Sequence, residues 1–147
     1  MKKINPMKTK ALYAGSFNPF TEGHRSIVER TLRLCDEVII GIGVNIDKTT
    51  GRGQTEEIQG LFKNEPRVTV CRYDGLTVDF AREQGVTCLV RGVRNADDFQ
   101  HEKELAQANY KLAGIETILL IAEPHLEHLS SSMMRQLEYF KKPHETT

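Results

Sequence analysis

Short apolar runs alternate with stretches of helical periodicity along this chain, and that alternation restricts its fold more than any other feature. The run ALYA, residues 11–14, is stopped by Gly15. HRSIVERTLRLC then places Ile27, Val28, Thr31, Leu32, Leu34 and Cys35 at helical spacing. EVIIGIGV reads as a strand buried on both faces. A weak helix is expected from Thr55, with Glu56 and Glu57 in its first turn. Strands are expected over residues 68–71, 87–90 and 117–121, and helices over 76–84 and 96–112, closed by Gly85 and Gly114. A last helix, SSMMRQLEYF, begins at a serine cap. Strand–helix alternation of this kind predicts an α/β chain: a doubly wound, five-stranded parallel sheet covered on both faces. Ligands of such sheets bind beyond the carboxyl ends of the strands, where strand order reverses. The informative residues should therefore lie just after each strand.

At 147 residues the chain suits a single domain, residues 1–147, with a frayed leader over residues 1–9. Lys and Arg total 20 and Asp and Glu total 20, so no global positive field favours nucleic acid, and an anion site has to be local. No apolar run reaches the roughly 20 residues of a membrane span. The basic start, MKKINPMKTK, is not followed by a signal-peptide core. Cys35, Cys71 and Cys88 are odd in number and form no C-x-x-C, which suits buried free thiols in a reducing cytoplasm.

The loop after the first strand is GSFNPFTEGH. Gly15 allows a tight turn, Ser16 and Asn18 offer polar side chains, and Pro19 stiffens the loop. Gly23 leaves room just before a helix, and His24 sits at that helix's N-terminus, where unpaired N–H groups and the dipole favour anions. The plainer alternative is an ordinary first-turn histidine. Lys48 follows the second strand, with Arg52 nearby. RGVR follows the fourth, and Arg91 and Arg94 can make a phosphate clamp or, alternatively, pair with Asp97, Asp98 or Glu102. HLSSSMM follows the fifth, with three hydroxyls where a cap needs one. Four loops with phosphate-binding chemistry at one sheet edge point to a polyphosphate ligand. No P-loop, complete G-x-G-x-x-G or nucleophile elbow is present, and His125 and His128 gain no third metal ligand by spacing.

These residues resemble a known family. GSFNPFTEGH is similar to the G-[ST]-F-[DN]-P-x-T-x-G-H signature of the nucleotidylyltransferases, and Thr21 resembles the phosphopantetheine adenylyltransferase branch. RGVRNADDFQHEKELAQAN and the triple serine at Ser130, Ser131 and Ser132 resemble that branch's later motifs, from about residue 10 to about residue 135. The resemblance implies a Rossmann-like fold and transfer of adenylyl from ATP to 4′-phosphopantetheine, giving dephospho-coenzyme A and pyrophosphate. Mg²⁺ would arrive with ATP, and the assembly would be a homohexamer. Carried over by motif, Ser16 and Phe17 would contact the phosphates, and His24 would bind ATP and stabilise the transition state. Lys48 and Arg91 would hold the acceptor's phosphate, with Thr77 along its arm. Gly92, Val93, Arg94 and Glu102 would bind ATP, together with Glu127, His128, Leu129, Ser130, Ser131, Ser132 and Met133. Ser16 stands where the branch usually has Thr, Ile58 where an Arg is expected, and the chain ends sooner after its last helix. The rival readings are a nucleotidylyltransferase using nicotinamide mononucleotide or glycerol phosphate, and a non-catalytic nucleotide sensor. Thr21 and the RGVR block oppose the first; His24, Lys48 and Arg91 together oppose the second.

Overall fold

The computed structural model describes residues 8–44, 52–123 and 131–141. The elements follow in the order β1 (Lys10–Gly15), α1 (Glu22–Thr31), β2 (Glu37–Gly43), α2 (Arg52–Leu61), β3 (Val68–Tyr73), α3 (Thr77–Glu83), β4 (Cys88–Val93), α4 (Ala96–Ala113), β5 (Glu116–Ile121) and α5 (Ser131–Lys141). The five strands form one sheet in the order β3-β2-β1-β4-β5. All four pairings are parallel.

Both faces of the sheet are apolar because each central strand sends alternate residues to opposite sides. From β1, Ala11 and Tyr13 join Ile27, Val28, Ile40, Ile58, Phe62 and Val90 on one face. Leu12 and Ala14 join Ile39, Phe80, Ala81, Leu89 and Ile115 on the other. Gly41 is required on this second face. A Cβ there would come within 2.8 Å of Leu12 Cδ1 and 3.1 Å of the Tyr73 ring.

The chain runs outward from β1 to β3, then returns to build β4 and β5 on the opposite side, so strand order reverses between β1 and β4. The two strands also part there. Pairing of β1 with β2 runs to Gly15 opposite Ile42, whereas pairing of β1 with β4 stops at Tyr13 opposite Val90. The crevice of a doubly wound sheet therefore opens beside Ala14 and Arg91.

Four expectations change. The fourth strand runs on to Val93, so Arg91, Gly92 and Val93 lie within it and not after it. The second helix starts at Arg52, not Thr55, which puts Glu56 and Glu57 in its middle. Ile58 and Phe62, one turn apart, are 1% and 7% exposed and tie that region to the core. The position where an arginine was expected thus holds a core side chain. The first helix already starts at Glu22, so Gly23 lies inside it, because Thr21 is the cap. Thr9, expected in the leader, is held by Asp36. Its N–H and hydroxyl both donate to the Asp36 carboxylate, and its carbonyl accepts from Asp36 N and Glu37 N.

Gly41→Ala should lower stability by about 1–3 kcal/mol through overpacking. The check is a fall in the urea midpoint at unchanged slope; an unchanged midpoint would mean that Leu12 and Tyr73 give way freely.

Candidate active site

Two grooves open at the carboxyl edge of the sheet. One, of about 500 Å³, is lined by Ser16, Phe17, Gly23, His24, Gly92 and Arg94. The other, of about 400 Å³, lies on the opposite face of the sheet and is mostly apolar, lined by Leu12, Tyr73, Leu76, Thr77, Leu105 and Leu112. Ala14, Gly15, Arg91 and Glu102 line both.

Arg91 is fixed at that junction by geometry a lysine could not reproduce. Its Nε and Nη2 each donate to one Glu102 carboxylate oxygen, both at 2.8 Å. Its Nη1 donates to the Ala14 carbonyl, beyond the point where β1 stops pairing with β4. The Glu102 side chain is 7% exposed and that of Arg91 31%. Hydrogen bonding to Glu102 holds the guanidinium charged more firmly than usual, against the effect of burial. The ion-pair alternative read from sequence therefore holds here, and one Arg91 edge is already committed. Both Glu102 oxygens serve Arg91, so this residue, expected to contact ATP, acts first by holding the cation. Arg94 is likewise near a carboxylate, with Asp98 at 3.6 Å, but its side chain is 80% exposed and faces solvent at the groove.

His24 is built into the start of α1. Its Nδ1 accepts from Thr21 N at 2.9 Å, while Thr21 Oγ1 accepts from His24 N at 3.3 Å. This is a capping box with histidine in the place usually taken by Glu or Gln. With Nδ1 accepting, the neutral ring carries its proton on Nε2, which becomes the donor. Burial pushes the imidazole's pKa below 6.5, and the nearby cations Arg94 and Arg91 push it the same way. The ring also sits against Phe17 and Phe20, with centroids 5.2 and 5.4 Å away. The site thus holds a neutral, oriented N–H donor.

Phe17 adopts a left-handed backbone conformation, φ 47°, that costs a non-glycine residue about 1 kcal/mol. Packing offsets this, since the ring is 4% exposed and meets Tyr13 edge-on at 5.1 Å. Gly15 makes room, because a Cβ there would lie 3.1 Å from the Phe17 ring. With its ring buried, Phe17 can offer a phosphate only its backbone. Val93 is similar: its side chain is 7% exposed, and its carbonyl accepts from Ala122 N. Ser16 is exposed, and its carbonyl is held by Gln54 Nε2 at 2.9 Å. Thr77 begins α3 and its hydroxyl bonds the Tyr73 hydroxyl at 2.9 Å.

Lys48, Glu127, His128, Leu129 and Ser130 lie outside the described residues. Ser131 opens α5, and Ser132 and Met133 follow it as exposed residues that line neither groove. Among the described residues no group of three or more His, Cys, Asp or Glu side chains gathers as a metal site, and no helix is long and apolar enough to cross a membrane. Burial pushes the Cys88 thiol up to about 11 and raises that of Cys71, so neither is a thiolate at neutral pH.

The sequence model of the cytidylyltransferase-like family matches residues 12–137. A phosphopantetheine adenylyltransferase of Bacteroides fragilis is 48% identical over 136 residues, covering 90% of this chain and 91% of that one. The chain belongs to the phosphopantetheine adenylyltransferase family. Within this family, the Porphyromonas gingivalis enzyme is 46% identical over 90% of this chain and 89% of its own. The Flavobacterium johnsoniae enzyme is 42% identical over 87% and 86%. Among solved structures, pantoate–beta-alanine ligase from Francisella tularensis shares the fold at 12% identity, with a TM-score of 0.57 over 93% of this chain and 71% of that one.

Sequence reasoning offered Glu102 and Asp98 among the partners of Arg91 and Arg94 but missed the Thr21–His24 box and the Ala14 carbonyl. The Thr21–His24 box was legible, since a threonine three residues before a side-chain acceptor is a capping signature. The Ala14 carbonyl was not, because a backbone acceptor carries no sequence signal.

The histidine geometry fixes a pH dependence. Above pH 6.5 the ring is neutral in folded and unfolded chains alike. As pH falls from 6.5 through the depressed folded value, the unfolded chain takes up the proton first, and stability is lost across that window. His24→Gln keeps a capping-box acceptor and should remove that part of the slope. ¹⁵N-detected NMR should show the Nε2–H tautomer titrating below 6.5; an Nδ1–H tautomer, or a midpoint above 6.5, would contradict the assignment.

Proposed function

We propose that this chain transfers the adenylyl group of ATP to 4′-phosphopantetheine, giving dephospho-coenzyme A and pyrophosphate, the penultimate step of coenzyme A biosynthesis. The single observation that carries the substrate pair is the meeting of two unlike grooves at Arg91: one with neutral donors and cations for a triphosphate, one apolar for a long arm. Relatives bearing that enzyme's name at 48% identity over nine-tenths of the chain support the same reading.

In the reaction, a phosphate oxygen of the acceptor attacks the α-phosphorus of ATP. The new P–O bond forms as the bond to the β-phosphate breaks, and pyrophosphate leaves in line. The nucleophile is already an anion, so no protein base or nucleophile is required, and catalysis consists of positioning and charge stabilisation. Arg91 holds the acceptor's phosphate at the junction, assisted by Lys48, and Thr77 lies along its arm. Ser16 and the Phe17 backbone meet the phosphates. The His24 Nε2–H donates to the α-phosphate oxygen on which charge builds. Gly92, Val93 and Arg94 would bind ATP, Glu102 joins them through Arg91, and Glu127, His128, Leu129, Ser130, Ser131, Ser132 and Met133 would also contact ATP, as the family motif implies. Mg²⁺ would come in with ATP. The carboxylates at the groove, Glu102 and Asp98, are already engaged by Arg91 and Arg94, which suits an ion held by ATP's own oxygens. Exposed apolar side chains such as Leu112 and Ile121, 63% and 73% exposed, suit assembly as a homohexamer. Three unpaired thiols suit the cytoplasm.

Pyrophosphate release from Mg-ATP should occur with 4′-phosphopantetheine and not with nicotinamide mononucleotide or glycerol 3-phosphate. His24→Ala should lower kcat by about 10²–10³-fold while ATP affinity changes much less. Release with another acceptor would overturn the substrate assignment. ATP binding without release for any acceptor would favour a sensor.

A further inference from the structure

One side chain reaches the phosphate loop from outside the site. Gln54 lines neither groove, yet its Nε2 donates to the Ser16 carbonyl at 2.9 Å. A carbonyl oxygen only accepts, so the amide has to present its nitrogen there. Gln54 stands in the first turn of α2, one turn before Ile58 and on the same helix face. Ile58 is buried in the core beneath α1, and α2 packs beside β3. The Gln54 amide is therefore carried by an element anchored in the core.

The Ser16 carbonyl belongs to the same peptide unit as the Phe17 N–H, and in a planar trans peptide the two point in opposite directions. Sheet order puts β2 and β3 on one side of β1 and β4 on the other. Gln54 takes the carbonyl from the β3 side, which turns the N–H toward β4. There Phe17 lines the polar groove together with His24, Gly92 and Arg94. Among the described residues no group accepts from this N–H. Backbone N–H groups are rarely left unpaired in native proteins, and one turned into an anion-binding groove suits a phosphate oxygen. Phe17 is also held at φ 47°, a conformation that persists only where its surroundings enforce it. The packed ring fixes one end of the residue, and Gln54 fixes the peptide at the other.

We propose that Gln54 is a positioning residue: by gripping the Ser16 carbonyl from α2, it aims the Phe17 N–H into the polar groove to meet a phosphate of ATP. This rests on the function proposed above only in taking the ligand of that groove as ATP. It gives the second helix, which contributes no side chain to either groove, a part in nucleotide binding. It also sets the donor in place before the ligand arrives, which lowers the ordering cost of binding.

The test is Gln54→Met, which keeps the length and removes the donor, beside Gln54→Glu, which keeps the shape and at neutral pH can only accept. Steady-state pyrophosphate release is measured with Mg-ATP and 4′-phosphopantetheine, and Tm is measured without ligand. The Phe17 amide is followed by ¹⁵N–¹H NMR as a non-hydrolysable ATP analogue is added. Gln54→Met should raise the KM for ATP about five- to tenfold, the effect of one weakened hydrogen bond. Gln54→Glu should raise it at least as far, because its carboxylate repels the carbonyl. In Gln54→Met, the KM for 4′-phosphopantetheine and Tm should stay at wild-type values. The wild-type Phe17 amide proton should move downfield on binding the analogue, and that shift should shrink in Gln54→Met, a signature that a purely structural glutamine would not give. An unchanged KM for ATP in both variants would overturn the inference. So would a wild-type Phe17 amide that ignores the analogue, or a lowered Tm with equal losses for both substrates. Pyrophosphate release only with another acceptor would overturn the proposed function and leave this inference standing, since ATP is common to both reactions. A wild-type protein that binds no ATP analogue would overturn both.

Discussion

Past Tyr13 and Val90, where β1 and β4 stop pairing, the Arg91 guanidinium bridges the gap by bonding the Ala14 carbonyl with one nitrogen and Glu102 with the other two. That contact does three things at once. It satisfies a backbone acceptor the parted strands leave behind. It ties α4, the source of Glu102, to the centre of the sheet. It also sets a permanent cation at the place where two grooves on opposite faces of the sheet meet. A buried carboxylate facing an anion-binding groove would be unfavourable alone. Paired in this bidentate way, it preorganises the cation instead.

The second constraint is the start of α1. A capping box fixes the His24 ring by its Nδ1, and the buried Phe17 ring packs edge-on against it. The histidine is therefore held from both sides before any ligand arrives. Its proton is confined to the nitrogen that the cap leaves open. Helix start, tautomer and donor are one arrangement, which is why a loop of only ten residues, GSFNPFTEGH, carries so much of the site.

Local patterns made the order of strands and helices readable in the sequence, because each element has its own periodicity and stop signals. They also placed Ser16 just after a strand and His24 in the first turn of a helix, but Arg91, expected after the fourth strand, lies inside β4. What was not readable is what depends on through-space pairing. Glu102 was one of three carboxylates the sequence offered to Arg91 and Arg94, and only the packing of α4 on β4 and β5 decides that it is the one Arg91 meets. The longer α2 follows from Ile58 and Phe62 reaching the core, which the polar sequence around Thr55 conceals.

Under the proposed function, Glu102 serves both substrates by holding Arg91 where the grooves meet. Calorimetric titration of Glu102→Gln, with a non-hydrolysable ATP analogue and separately with 4′-phosphopantetheine, tests it most directly. Tm should fall and both ligands should bind about tenfold more weakly, as a charge-assisted bidentate pair is reduced to a neutral one. A lower Tm with both affinities unchanged would show that the pair serves the fold alone and not the substrates.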